Sequence, residues 1–236
     1  PQWSVMPRIS FSFPISEEAL FFAHYDILTQ RPTSSLRFNL TDYYYFNTQT
    51  GTINNPNLKP TKTIDYELGF KQKLSGSSVM TLSAYYKEMR DDIQIFRFNG
   101  AYPRDYTSYN NIDFGTVKGF TATYDLRQTN NVTLRASYTL QFADGTGSST
   151  DQAASLIAAG LPNLRSTNPL AWDRRHAINI SLDYRFSDGK EYNGPVIKRE
   201  KSGKAPLQLL KNTGLNITVS GGSGTPYTRQ SNITSA

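Results

Sequence analysis

The chain has 236 residues, a formal net charge of +6, 37% hydrophobic residues and a mean hydropathy of −0.52. No stretch approaches the roughly 20 consecutive apolar residues of a membrane helix, cysteine is absent, and the 25 Lys and Arg are spread along the chain with no basic helix and no RNA-binding aromatic motif. Helical membrane spans, disulfide scaffolds, zinc fingers, thiol nucleophiles and nucleic-acid binding are set aside on these grounds.

What remains is an aromatic-rich chain, with 15 Tyr and 13 Phe, whose apolar residues recur at every second position. That is the period of a strand with two unlike faces. In chain order, Ile9, Phe11, Phe13 and Ile15 oppose Arg8, Ser10, Ser12 and Pro14, and Phe21, Ala23, Tyr25 and Ile27 oppose Phe22, His24, Asp26 and Leu28. Ile64, Tyr66, Leu68 and Phe70 oppose Asp65, Glu67, Gly69 and Lys71; Met80, Leu82, Ala84 and Tyr86 oppose Thr81, Ser83, Tyr85 and Lys87. Phe120, Ala122, Tyr124 and Leu126 oppose Thr121, Thr123, Asp125 and Arg127. The longest run has Val132, Leu134, Ala136, Tyr138, Leu140 and Phe142 on one side, with Thr133, Arg135, Ser137, Thr139 and Gln141 on the other. Ile178 to Phe186 alternates in the same way, and Leu215, Ile217 and Val219 close the series.

These eight strands predict an all-β, antiparallel fold. Several runs reach the 9–11 residues of a tilted membrane strand, beyond the usual length of about five or six. Tyr and Phe sit at the ends of the apolar faces, as in an interfacial girdle. Connections at Ser16-Glu17-Glu18, Ser75-Gly76-Ser77 and Gln128-Thr129-Asn130-Asn131 are short, whereas 31–62, 97–112 and 143–174 are long. Strict alternation places 187–212 on the short-turn side despite its length, and it carries Lys190, Lys198, Arg199, Lys201, Lys204 and Lys211. Ser149-Thr150-Asp151 before Ala153–Ala159 and Gly160 predicts a short capped helix. The starts and stops at Pro1 and after Gly224-Thr225-Pro226-Tyr227 predict a piece of a longer chain.

Asn55-Pro56-Asn57-Leu58-Lys59-Pro60, followed by Thr63-Ile64-Asp65-Tyr66-Glu67-Leu68-Gly69-Phe70, resembles a loop-and-strand segment of TonB-dependent receptors. Thr61 stands where that family usually has Glu. Ala84-Tyr85-Tyr86-Lys87-Glu88-Met89-Arg90-Asp91-Asp92-Ile93 resembles the family's next strand. Pro7-Arg8-Ile9-Ser10, Asp173-Arg174-Arg175-His176 and Gly224-Thr225-Pro226-Tyr227 follow in the family's order, and the style is similar to the Bacteroidetes type.

The resemblance implies a transmembrane antiparallel β-barrel in the outer membrane of a Gram-negative cell. The whole chain, 1–236, would be a partial barrel wall, with the plug domain and the closing C-terminal strands elsewhere in a barrel of roughly 22 strands. It implies TonB-dependent active uptake of a scarce solute (siderophore, cobalamin, glycan or peptide), no enzymatic activity and no cofactor. The implied partners are the lipid bilayer, the protein's own plug, the TonB protein through a segment not present here, and a surface lipoprotein lid. A passive porin, a complete eight-stranded barrel and a structural barrel subunit of an envelope complex are the rival readings.

Asp65, Glu67, Lys71, Asp125, Arg127, Arg135, Asp183 and Arg185 fall on the polar side and are expected to line a lumen. There they bridge across strands or meet a plug; nothing in their spacing selects a catalytic pair. Tyr43, Tyr44 and Tyr45, in the first long connection, can stack on a ligand or pack in a loop strand. His24 and His176 are too far apart to suggest a metal site; His176 is expected to help start a strand at the outer rim.

Overall fold

A computed structural model describes residues 3–33, 36, 40–44, 48, 51–163, 165–197 and 206–227, with the side chains of residues 42 and 43 left aside. Eight strands form one continuous antiparallel path: β1 (Arg8–Pro14), β2 (Ala19–Gln30), β3 (Thr61–Lys73), β4 (Ser78–Phe98), β5 (Tyr106–Thr129), β6 (Val132–Gly145), β8 (His176–Arg185) and β11 (Gly214–Gly222). The two-residue β7 (Asn168–Pro169) adds to the end of β6. β1 does not pair with β11, so the sheet stays open along this path.

The register carries the sequence alternation across the whole sheet. One row runs Phe13, Phe21, Phe70, Leu82, Ala122, Tyr138, Ile178. The next runs Phe11, Ala23, Leu68, Ala84, Phe120, Leu140, and ends on His176. A third, Ile9, Tyr25, Tyr66, Tyr86, then gives way to Lys118, with the tyrosine rings 5.2 and 6.4 Å apart along it. Because side chains alternate strictly, a one-residue slip in any pair would scatter these rows. None occurs within the band.

No second layer of described residues covers this apolar face. Leu68, Ile217 and Val219 are 57%, 44% and 52% exposed, values that a sheet packed face to face in a sandwich would not show. Among the well-buried apolar residues, Ile64 belongs to the apolar face itself, whereas two small clusters lie off it: Val117, Ala143 and Leu170, and Ile95, Ala153 and Ile157.

The turns explain the chain reversals. Asn130 and Asn131 adopt φ of 47° and 76°, the left-handed pair of a two-residue hairpin that Asn tolerates better than most residues. Ser75 Oγ accepts the amide hydrogens of Ser77 and Ser78 at 3.3 and 3.1 Å, pinning the β3–β4 turn. All three tight turns lie at one end of the sheet. The long connections lie at the other, except for 186–213, which shares the tight-turn end and holds a 3-10 turn (Gly189–Glu191) and a ribbon of β9 (Val196–Ile197) with β10 (Leu207–Gln208).

Three expectations need correction. The connection expected at 97–112 is mostly strand, since β4 runs to Phe98 and β5 starts at Tyr106. A bulge between Met89 and Ile93, with Asp91 at φ 59°, shifts the parity there and breaks the alternation that marked the rest. The predicted capped helix is α2 (Ala154–Ala158); its first turn has no side-chain cap, while Gly160 closes the far end at φ +72°. Around Tyr43 and Tyr44 the chain forms a short helix, α1 (Leu40–Tyr44), rather than a loop strand.

Candidate functional site

Seven of the eight charged residues expected on one face (Asp65, Glu67, Lys71, Asp125, Arg135, Asp183 and Arg185) are placed by the register on the side opposite the apolar rows, and Arg127 falls in the irregularity after Leu126. Lys87 Nζ donates to Asp65 Oδ2 at 2.6 Å across β3 and β4, and Arg135 Nε donates to Asp125 Oδ1 at 2.8 Å across β5 and β6. Arg185 pairs with Asp183 along its own strand at 3.9 Å. Glu67, Lys71 and Arg127 form no ion pair among the described residues. Lys71, Lys73, Arg127 and Arg135 surround an open cleft of about 510 Å³ at the tight-turn end.

Two aromatic side chains lie flat over glycines on this charged face. Tyr85 crosses Gly119 and donates its hydroxyl to Gln141 Oε1 at 3.0 Å. Phe22 crosses Gly69 in the same way. The sheet therefore carries long side chains parallel to its surface here, which only a missing Cβ permits.

The long-connection end is more elaborate. The Asn55–Pro60 segment is stitched to the upper part of β5: Asn55 Nδ2 donates to the Tyr109 carbonyl at 2.8 Å, and the Lys59 amide donates to Asn111 Oδ1 at 2.7 Å. Asn111 Nδ2 returns to the carbonyls of Lys59 and Asp91 at 3.0 and 2.7 Å. This is the physical content of the motif: it delivers the chain into β3 immediately after Pro60. The Asp173 carboxylate, 1% exposed, accepts the Ala143 amide at 3.0 Å and Arg175 Nε at 3.2 Å. It thereby fixes the third long connection to the top of β6.

Beside the bulge, above the apolar rows, buried Gln94 donates to Asp113 Oδ2 at 2.9 Å and to the Ser149 carbonyl at 3.0 Å. Thr146 Oγ1 donates to Asp113 Oδ1 at 3.0 Å. Asp92 is the register partner of Asp113. Burial, then the Asp113 and Asp91 carboxylates, push Asp92 up to about 6 from 3.8. Arg31, Asp92, Asp113, Ser149 and Trp172 border a cleft of about 270 Å³.

Carboxylates, a guanidinium, hydroxyls and an indole in one cleft suit hydrogen bonding and stacking with a polar solute. No group of three or more metal-type side chains occurs among the described residues. Tyr44 is 81% exposed on α1 and does not border the cleft; Tyr45 lies outside the described residues. Alternation did not bring Asp92, Gln94 and Asp113 together, because the bulge interrupts it, and Trp172 lies in the third long connection, outside any strand period.

An open antiparallel sheet with one uncovered apolar face, one charged face and unequal ends defines a fragment of membrane β-barrel wall. The chain belongs to the TonB dependent receptor-like, beta-barrel family, which matches residues 1–233. That family's proteins are outer-membrane receptors and transporters, and the chain is accordingly an outer-membrane protein.

Among solved structures, it is similar to the outer membrane transporter YddB from Escherichia coli, at 14% identity and TM-score 0.53, covering 74% of this chain and 26% of that one. It is also similar to the pyoverdine outer membrane receptor FpvA from Pseudomonas aeruginosa, at 15% identity and TM-score 0.52, covering 79% and 23%. The chain thus spans about a quarter of the length of these structures. No curated protein matches it.

Proposed function

We propose that the chain is part of the wall of a TonB-dependent receptor that takes a scarce solute across the outer membrane. The observation that carries this reading is the uncovered apolar face. From Val132 to Phe142 it rises about 34 Å along β6. At the usual tilt of about 45° that is about 24 Å of height, against an apolar band of about 25 Å in outer-membrane barrels. The apolar face then meets lipid, the tight turns face the periplasm, and the long connections face outward.

On this reading Asp65, Glu67, Lys71, Asp125, Arg127, Arg135, Asp183 and Arg185 line the lumen. The unpaired cations at the tight-turn end meet a plug domain carried elsewhere in the protein, and TonB engages a segment outside this chain. The outward cleft beside Asp92 and Trp172, and the tyrosines Tyr43, Tyr44 and Tyr45, are the parts of the wall suited to first contact with solute. FpvA is described as bound to pyoverdine, and the siderophore class is one substrate class that suits such a cleft. A surface lipoprotein lid would close over the same end.

The test is cysteine scanning along 132–142 in the full-length receptor, in intact outer membrane. Val132, Leu134, Ala136, Tyr138 and Leu140 are expected to react with a lipid-dissolved probe, and Thr133, Arg135, Ser137 and Thr139 with a water-soluble one. Uptake measured with and without TonB completes it. Shielding of both faces from lipid would sink the barrel reading, and TonB-independent uptake would favour a passive porin.

A further inference from the structure

We propose that the outward face of β5, β6 and β8 binds one phosphate-bearing lipid of the leaflet at the long-connection end. The proposal rests on the reading that the apolar face meets lipid. A groove of about 160 Å³ opens on that face where Ala122 and Ala136 leave space among Met80, Tyr124, Tyr138 and Ile178. Small residues between large ones make a dent in a surface that would otherwise be filled flush, and the side chains around it are apolar. Its shape and chemistry fit an acyl chain.

Basic groups gather directly above the groove. Tyr138 lines it, and its hydroxyl lies 2.8 Å from His176 Nδ1. His176 is the register partner of Leu140, and Lys118 is the partner of Phe142 in the next row. The Arg175 guanidinium sits 4.7 Å over the Phe142 ring. Asp173 holds Arg175 through Nε at 3.2 Å, and the Arg175 side chain is 46% exposed.

Lys118 is exposed and has no ion-pair partner among the described residues. An unpaired ammonium in the aromatic row of a lipid-facing sheet is costly unless its head reaches the headgroup level or an anion. One carboxylate shares this side of β6, Asp144, a further row toward the long connections and opposite Thr116. The arrangement therefore offers a chain seat below and three basic groups above, which is the layout of an acylated phosphate rather than of free phosphate. Basic side chains near the membrane surface attract anionic headgroups, and an arginine fork suits phosphate geometry.

The experiment uses the full-length receptor in a mild detergent and reads bound lipid by native mass spectrometry. Phosphatidylglycerol is compared with diacylglycerol of the same chains, and inorganic phosphate is added as a competitor. One phosphatidylglycerol is expected to remain bound and diacylglycerol to be lost. Occupancy is expected to fall about tenfold in Lys118→Ser plus Arg175→Ser, and again in Ala136→Leu, which fills the groove without adding polarity. Each variant is checked for heat-modifiable migration; should Arg175→Ser fail to fold because Asp173 is left unpaired, Lys118→Ser alone carries the comparison. Unchanged occupancy in the folded variants, or displacement by millimolar inorganic phosphate, would overturn the proposal. If the cysteine scan still shows lipid contact on 132–140 while no lipid is retained, this site falls and the barrel wall stands.

Discussion

Asp92 faces Asp113 across the β4–β5 pair, and two carboxylates directly opposite repel. Burial of Asp92 first, and that repulsion second, make the folded protein hold the Asp92 proton more tightly than the unfolded chain does, with its pKa at about 6 instead of 3.8. The resulting penalty is absent below the ordinary value, grows as pH rises between the two, and is complete above about 6. Asp92→Asn is expected to raise the apparent unfolding midpoint of the full-length receptor at about pH 7.5, by the equivalent of about 1–2 kcal/mol once partial exposure is allowed for. At about pH 4 the gain should shrink severalfold. Thermal unfolding in detergent at both pH values decides it; an equal gain at both would mean that the charge is not the cause. At this scale the sequence was legible wherever alternation held: seven of the eight charged residues fall on one face by register because parity alone puts them there. Asp92 and Asp113 were hidden because two residues that meet across a bulge carry no periodic signature.

Strands were more legible than the connections between them. Val132–Phe142 alternates without a break and is the core of β6, while the hairpin above the bulge looked like loop because its parity shifts at Asp91. Loop helices are short and locally determined, so Tyr44 ended up on a turn of helix that a run of aromatics does not announce. Glycines inside strands were also silent, although they hold the charged face together. A Cβ on Gly119 would lie 2.5 Å from the Tyr85 ring and 2.7 Å from the Leu140 carbonyl oxygen. Gly119→Val is thus expected to cost about 1–3 kcal/mol and to break the Tyr85–Gln141 hydrogen bond. Tyr85→Phe, which loses only that bond, should cost about 0.5–1.5 kcal/mol. The fraction of receptor migrating as the folded, heat-modifiable form reads both. Adding Tyr85→Ala to Gly119→Val should recover part of the loss; no recovery would place the clash at the β6 backbone instead of the ring.

Taken as a whole molecule, the sheet has two open edges, β1 and β11, each paired on one side only. Their unpaired amides and carbonyls would face hydrocarbon, where each unsatisfied group costs several kcal/mol. A membrane sheet must either close on itself or continue into further strands, and this path does not close. The two alternatives are distinguished by expressing residues 1–236 alone and refolding them into detergent and planar bilayers beside the full-length receptor. If the edges continue into strands from the rest of the protein, the isolated chain should give aggregates or edge-joined oligomers, with no discrete monomeric heat-modifiable species and no unitary conductance. The full-length receptor should give one compact species under the same conditions. A stable monomer with a single-channel signature from the isolated chain would instead mean that β1 can meet β11, and the complete eight-stranded barrel would replace the partial wall. The open path between β1 and β11, which are not paired with each other, is the reason to expect the first outcome.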